Sequence, residues 1–288
     1  MRRWSGFVSI SAIRGCTEIA LGKLVRAITF TTDFGTQDWF VGTMKGVLLQ
    51  LAPKALVVDL THEIPPGNIR AGAFAMAASY SFFPQHTIHV AVVDPGVGSK
   101  RPAIAVKTSR FLFVGPDNGV LSWALARENE VVVHRIENSK YFLNEVSATF
   151  HGRDVFAPVA AHLSRDVLLS KLGPRVRDYV RVDWPQTRAT AQGLQGEVLY
   201  IDRFGNAITN ISASDLKSIH DPVSVCLGRK RACGLGQFYQ EVEVGRPIAV
   251  MGSSGFLELA VNGGSAASLL HLHLSTKITV RSSIPSSH

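Results

Sequence analysis

Asp94, Arg101 and His151 are the residues of this chain whose types and settings best suit chemistry. Asp94 closes the run Thr87-Ile88-His89-Val90-Ala91-Val92-Val93, mostly apolar and β-favouring, which reads as a buried strand. Pro95 cannot prolong a central strand, and Gly96 and Gly98 permit a turn with positive φ. The carboxylate is therefore held where a rigid strand opens into a loop, the end of an α/β strand at which ligands sit. Arg101 follows closely enough to fold back towards it. The competing reading is an aspartate that only caps its own turn. His151 lies in Thr149-Phe150-His151-Gly152-Arg153-Asp154, ahead of a helix predicted from Val155 to Leu163 with Asp154 as its cap. The positive end of that helix disfavours imidazolium, so a neutral ring with one free nitrogen is expected. The alternative is a histidine that merely satisfies loop backbone groups. Asp33 is another carboxylate at a strand-to-loop junction. His62 and Glu63 look like a fragment of a zinc site, but no second histidine sits one helical turn away, so a loop role is expected.

The elements that must position these residues follow from pattern. Ala27 to Thr32 and Leu56 to Leu60 read as strands ahead of the loops carrying Asp33 and His62. Trp39 to Leu51 has a helical apolar face and is stopped by Pro53; Asn68 is a plausible N-cap for a helix from Ile69 to Tyr80. Strands are expected at 103–107, 111–114 and 131–136, with a short helix at 121–127 between the last two. Strands alternating with helices argue for an α/β domain, 27–174, around a largely parallel sheet. The stretch 175–192 is charged, proline-containing and weakly periodic, and suits a linker. From 193 to 282, short β-type runs separated by turns predict a smaller β-barrel domain. Residues 1–26 carry five basic residues against Glu18 alone and read as a poorly ordered leader, and 283–288 as a tail.

Bulk properties narrow the classes. With 46% apolar and 18% charged residues, the chain of 288 has a globular composition. No apolar run approaches the ~20 residues of a membrane span. The net charge of +8 is scattered, with Arg229-Lys230-Arg231 its one short cluster, so nucleic acid is not an expected partner. Three cysteines without paired spacing fit a reducing, cytoplasmic setting and no structural metal.

Six motifs in order carry a resemblance. They are Thr32-Asp33-Phe34-Gly35; Asp94-Pro95-Gly96-Val97-Gly98 with Arg101; Gly115-Pro116-Asp117-Asn118-Gly119; Thr149 to Asp154; Phe204-Gly205-Asn206; and Leu257 to Asn262 before Gly264-Ser265-Ala266-Ala267. Over about Ala27 to Ser282 the chain resembles the S-adenosylmethionine hydroxide adenosyltransferases, hydrolase relatives of the fluorinases and chlorinases. The resemblance implies an N-terminal α/β domain and a C-terminal barrel, and a homotrimer with S-adenosylmethionine bound between one subunit's N-domain and the next subunit's barrel. It implies hydrolysis to adenosine and L-methionine with no metal and no second cofactor. By motif, Asp94, Arg101 and His151 would hold the water. Asp33 would take the ribose hydroxyls and Asn206 would recognise the ligand from the first barrel turn. Ser253 would lie near the methionine carboxylate, with Glu258 in the same segment. Phe256 would offer a ring face, backbone at Gly263 would read the adenine edge, and Asp202 would face the methionine ammonium. The halogenases have arginines where this chain has Ser254 and Val261.

The implied chemistry is coherent. A sulfonium leaves as a neutral thioether and needs no acid, so only the nucleophile needs help. Asp94 can orient a water and accept its proton, Arg101 can fix the carboxylate, and His151 can hold the water's other side or relay the proton. Because Arg101 keeps Asp94 ionised and so weakens it as a base, positioning is expected to matter more than basicity. A carboxylate at that place repels fluoride or chloride, which disfavours a halogenase. The remaining rival is a protein that binds adenosine or S-adenosylmethionine without turnover.

Overall fold

The structure, a computed structural model, describes residues 26–217, 219 and 223–282. The expected leader, apart from Arg26, and the expected tail lie outside the described residues.

The first sheet has seven strands: β1 (Ala27–Thr32), β2 (Leu56–Thr61), β3 (Ile88–Val92), β4 (Ala103–Lys107), β5 (Leu112–Pro116), β6 (Val132–Arg135) and β7 (Arg175–Val176). Their order is β2-β1-β3-β5-β4-β6-β7. The strands β2, β1, β3 and β5 run parallel, as the alternation of strands and helices predicts. The other side is antiparallel, because β4 and β5 are joined by only four residues, too few for a crossover. Thr108 closes that turn by accepting the Phe111 amide at 3.0 Å.

Helices α1 (Phe40–Leu51) and α4 (Ala157–Ser164) cover one face of the sheet, while α2 (Ile69–Ser79) and α3 (Ser122–Leu125) cover the other. The side-chain period of two decides which residue meets which layer. In β3, Ile88, Val90 and Val92 join the α1/α4 core, whereas Ala91 and the following Val93 join the α2/α3 core. Every residue of β3 is buried, the pattern of a strand packed on both faces. Asn68 caps α2 as expected, its Oδ1 accepting the Ala71 amide at 3.0 Å.

The second sheet contains β8 (Arg188–Thr190), β9 (Gly193–Ile201), β10 (Ala207–Ser212), β11 (Val223–Leu227), β12 (Lys230–Gly236), β13 (Pro247–Met251), β14 (Phe256–Val261) and β15 (Lys277–Ser282). Pairing of β10 with β9 closes strands β9 to β15 into a seven-stranded barrel, with β8 added beside β9. Its interior is filled by alternate residues such as Leu257, Leu259 and Val261 of β14.

The stretch expected as a linker is ordered and packed. Its first residues form β7, and its last form β8. Between them, Val182 accepts the Trp123 indole N–H at 2.8 Å, and Trp184 lies 4.6 Å from the Trp123 ring. Phe74 of α2 stacks on Tyr200 of β9 at 5.3 Å, and Arg70 reaches Glu197 at 3.3 Å, so the sheet domain and barrel share an apolar seam with an ion pair. Among the described residues no helix is long and apolar enough to cross a membrane.

Candidate active site

The loops leaving the C-terminal ends of β1 and β3 meet the start of α4. β3 delivers Asp94 two residues past its end, where Asn118 donates its amide to the Val93 carbonyl at 2.8 Å and pins the chain. Arg101 folds back as expected. Its Nε lies 2.9 Å from both Asp94 carboxylate oxygens, and its Nη2 donates to Oδ2. No backbone amide among the described residues donates to that carboxylate, so Asp94 does not cap its own turn. The same Nη2 lies 2.9 Å from His151 Nδ1. A guanidinium can only donate, so Nδ1 is the acceptor and the ring proton sits on Nε2. The Phe156 ring lies 5.4 Å beneath the guanidinium.

His151 is therefore a neutral ring that offers an N–H. Burial, then the Arg101 charge, hold its imidazole below the ordinary histidine range, against the opposing pull of Asp94 and Asp154. It stands just before a π-helical turn, Gly152–Phe156, that runs into α4. Pro158 accounts for the wide turn, because it has no N–H to bond the Asp154 carbonyl and its ring crowds that group. The freed Asp154 carbonyl instead accepts the Leu143 amide at 2.9 Å. The expected cap is thus corrected. Asp154 is fully buried inside the turn, where it accepts Arg153 Nε at 2.6 Å and the Ser147 amide at 2.8 Å and ties down the loop before His151.

Asp33, half-buried after β1, accepts the Gly67 amide at 2.7 Å. Burial raises its carboxyl above the ordinary range despite that bond, and the charge of Asp94 adds to the rise. His62 proves structural: Nδ1 lies 2.8 Å from Thr32 Oγ1 and Nε2 3.0 Å from Asp59, while its carbonyl accepts the Gly35 amide at 2.8 Å. The contacts to Thr32 and Gly35 fix the loop that carries Asp33. Asp33, Asp94 and His151 line one cavity of about 360 Å³, walled by Phe34, Phe40 and Phe150. Gly67, which sequence reasoning passed over, is part of its lining; the Pro65-Pro66-Gly67 turn was the available signal.

Gly98 sets the fit between the loops that carry Asp94 and His151. It has φ of +76°, and a Cβ there would collide with the Ala148 carbonyl. Gly98→Ala is expected to push the Asp94 loop off the His151 loop and lower kcat by about 10²-fold, the loss typical of an ångström-scale misplacement. Steady-state rates beside a thermal melt check this: an unchanged kcat would show that the two loops need not touch.

The other sequence-predicted residues gather elsewhere. Asp202, Asn206, Ser253, Glu258 and Gly263 line a cavity of about 980 Å³ on the barrel. Asp202 organises the first turn there: Oδ1 accepts the amides of Phe204 at 2.9 Å and Asn206 at 2.8 Å, and Oδ2 accepts the Asn206 side-chain amide at 3.0 Å. Tyr239, which no sequence signal marked, donates to Glu258 Oε1 at 2.8 Å. Phe256 does not line this cavity; it packs 5.2 Å from Trp184 and 6.4 Å from Phe74 in the seam between sheet domain and barrel. The two cavities share no lining residue.

Fold and site together define a class: a two-domain α/β-plus-barrel protein with an acid and an imidazole at a cavity by the strand ends, bridged by a guanidinium. The chain belongs to the SAM hydroxide adenosyltransferase family, matching its N-terminal domain over residues 28–173 and its C-terminal domain over 196–279. It is 43% identical to an (R)-S-adenosyl-L-methionine hydrolase of Salinispora tropica, over 84% of this chain and 93% of that protein. A fluorinase of an Actinoplanes species is similar at a lower 25%, over 88% of this chain and 96% of the fluorinase. A solved structure of an uncharacterized conserved protein from Thermotoga maritima superposes with a TM-score of 0.83 at 37% identity, covering 88% of this chain and 99% of that one.

Proposed function

We propose that this protein hydrolyses S-adenosyl-L-methionine to adenosine and L-methionine. The observation that carries the reading is that Asp94 and His151, from separate loops, line one cavity and are bridged by Arg101. The relatives named as hydrolases of this substrate support it. A water lone pair attacks C5′ opposite sulfur, and the C5′–S pair leaves with sulfur as a neutral thioether. The proton passes to Asp94. With Nδ1 engaged by Arg101, His151 holds the water through Nε2–H and is not the proton acceptor. Asp33 takes the ribose hydroxyls. Because the leaving group is neutral, the reaction calls for no metal and no second cofactor. The carboxylate of Asp94 facing the cavity disfavours halide as the nucleophile.

The active unit in this reading is a homotrimer. One chain presents Asp33, Asp94 and His151 in one cavity and its barrel residues in another, and a neighbouring subunit's barrel completes each site. Phe204, 76% exposed, and Phe238, 56% exposed, line the barrel cavity and suit such burial. The free thiols Cys226 and Cys233 agree with a cytoplasmic location.

Turnover in ¹⁸O-water tests the reaction. Label is expected in the 5′-hydroxyl of adenosine. Absence of adenosine above background, or label only in methionine, would overturn the assignment and leave a ligand-binding protein.

A further inference from the structure

The turn Gly115-Pro116-Asp117-Asn118-Gly119 lines neither cavity, yet it touches the chain on both sides of the Asp94–Arg101 pair. It leaves β5, which stands between β3 and β4 in the sheet. β3 runs parallel to β5 and ends towards Asp94, while β4 runs antiparallel and starts just after Arg101. On the β3 side, Asn118 Nδ2 donates to the carbonyl of Val93, the residue before Asp94, at 2.8 Å. On the β4 side, the Asp117 amide donates to the carbonyl of Pro102, the residue after Arg101, at 2.9 Å. That carbonyl also accepts Arg101 Nη1 at 3.3 Å. Asn118 is itself held, its Oδ1 accepting the Val120 amide at 3.1 Å. The turn also grips the stretch that leads into the barrel. Asp117 Oδ1 accepts the Val180 amide at 2.8 Å. Val182 occupies the space that a side chain at Gly119 would fill, and Ser122 Oγ accepts its amide at 3.2 Å.

We infer that Asn118 and Asp117 are positioning residues for the water-activating pair, Asn118 acting on Asp94 and Asp117 on Arg101, and that they set the pair against the stretch carrying the barrel. The inference rests on the hydrolase reading. The Val93–Asp94 peptide is planar, so holding its oxygen fixes the plane from which Asp94 projects. Val93 is fully buried, and a carbonyl there that loses its donor must turn the peptide to find another, carrying Asp94 with it. Arg101 is steadied from the other side. The Pro102 carbonyl, anchored by Asp117, holds Nη1, while Nε and Nη2 reach Asp94 and Nη2 also reaches His151. Neither positioning residue has to meet the substrate, since each works through a backbone carbonyl next to a residue of the pair.

A double-mutant cycle on the full chain tests this. Asn118→Ala is expected to lower kcat by about 10- to 100-fold, the loss for misplacement on the ångström scale, with KM within about threefold. In an Asp94→Asn background the same change should lower kcat by less than about threefold, because a side chain that takes no proton gains little from being aimed. A role in stability alone would give equal factors in both backgrounds, and that result would overturn the inference. Asn118→Asp keeps the size and the Val120 bond but has no N–H for Val93. It should reproduce the alanine loss, which keeps the test decisive if Asn118→Ala does not fold. Asp117→Ala should lower kcat by about 3- to 10-fold, and Asp117→Asn, which can still accept the Val180 amide, should restore it. A folded Asp117→Ala at the wild-type rate would overturn the tie to the barrel stretch. The ¹⁵N–¹H resonance of Arg101 Nε reads the pair without turnover and should move or broaden in Asn118→Ala. An unmoved resonance would overturn the inference. Absence of adenosine from the wild type would instead sink the hydrolase reading, and the resonance would still decide whether Asn118 places the pair.

Discussion

Asp94→Asn is expected to lower kcat by about 10³-fold while KM stays within a few-fold, because the loss falls on the reacting water rather than on the bound substrate. The amide keeps the size of the carboxylate and can still accept from Arg101, but it cannot take a proton. Asparagine is the sharper choice over alanine. Arg101 and Asp94 are 11% and 4% exposed, so truncation would strand a buried guanidinium and cost about 3–5 kcal/mol of stability. Loss of the Asp94 charge also removes one cause of the raised Asp33 carboxyl, so Asp33 should titrate lower in the variant. Adenosine release followed by chromatography, beside a thermal melt, measures both quantities. A kcat within about tenfold of wild type would mean that Asp94 is not the group that activates water.

Mixed oligomers give the second large effect. Asp94→Asn disables the sheet cavity and Asn206→Ala the barrel cavity, so each protein alone should be close to inactive. Co-expressed with two tags and purified as mixed trimers, the pair should recover about a third of wild-type activity. In a closed ring of three head-to-tail contacts that holds both variants, one interface joins two undamaged halves, roughly a third of the sites. A site completed within one chain would recover nothing, since every chain carries a lesion. A monomer by light scattering would equally refute the shared site.

Parts of this architecture were legible from the residues because their signals are local. The β3 run from Ile88 to Val93 is mostly apolar and β-favouring, as suits a strand buried on both faces. Pro95 and Gly98 ended it on steric grounds, and Asn68 marked a helix start by the hydrogen bond it can make. Other parts were not legible. β12 begins with Lys230-Arg231 and carries Gly234 and Gly236, so neither apolar content nor alternation announces it; it exists because β11 and β13 pair with it. The widened turn at Gly152–Phe156 comes from the Pro158 ring meeting the carbonyl four residues earlier, and the Leu143 amide that takes this carbonyl is remote in sequence. Nothing in Asp154 itself distinguished a helix cap from a buried clamp.

The order of residue types determined the strand ends, the loops that leave them and the chemical groups those loops bear. Each depends on neighbours a few positions away. Which groups face one another was decided by folding alone: Arg101 reaching His151 as well as Asp94, Gly98 seated against Ala148, and two cavities apart on one chain. Those outcomes hinge on distances between segments separated by tens of residues, and such distances are set by how layers pack rather than by any stretch of chain.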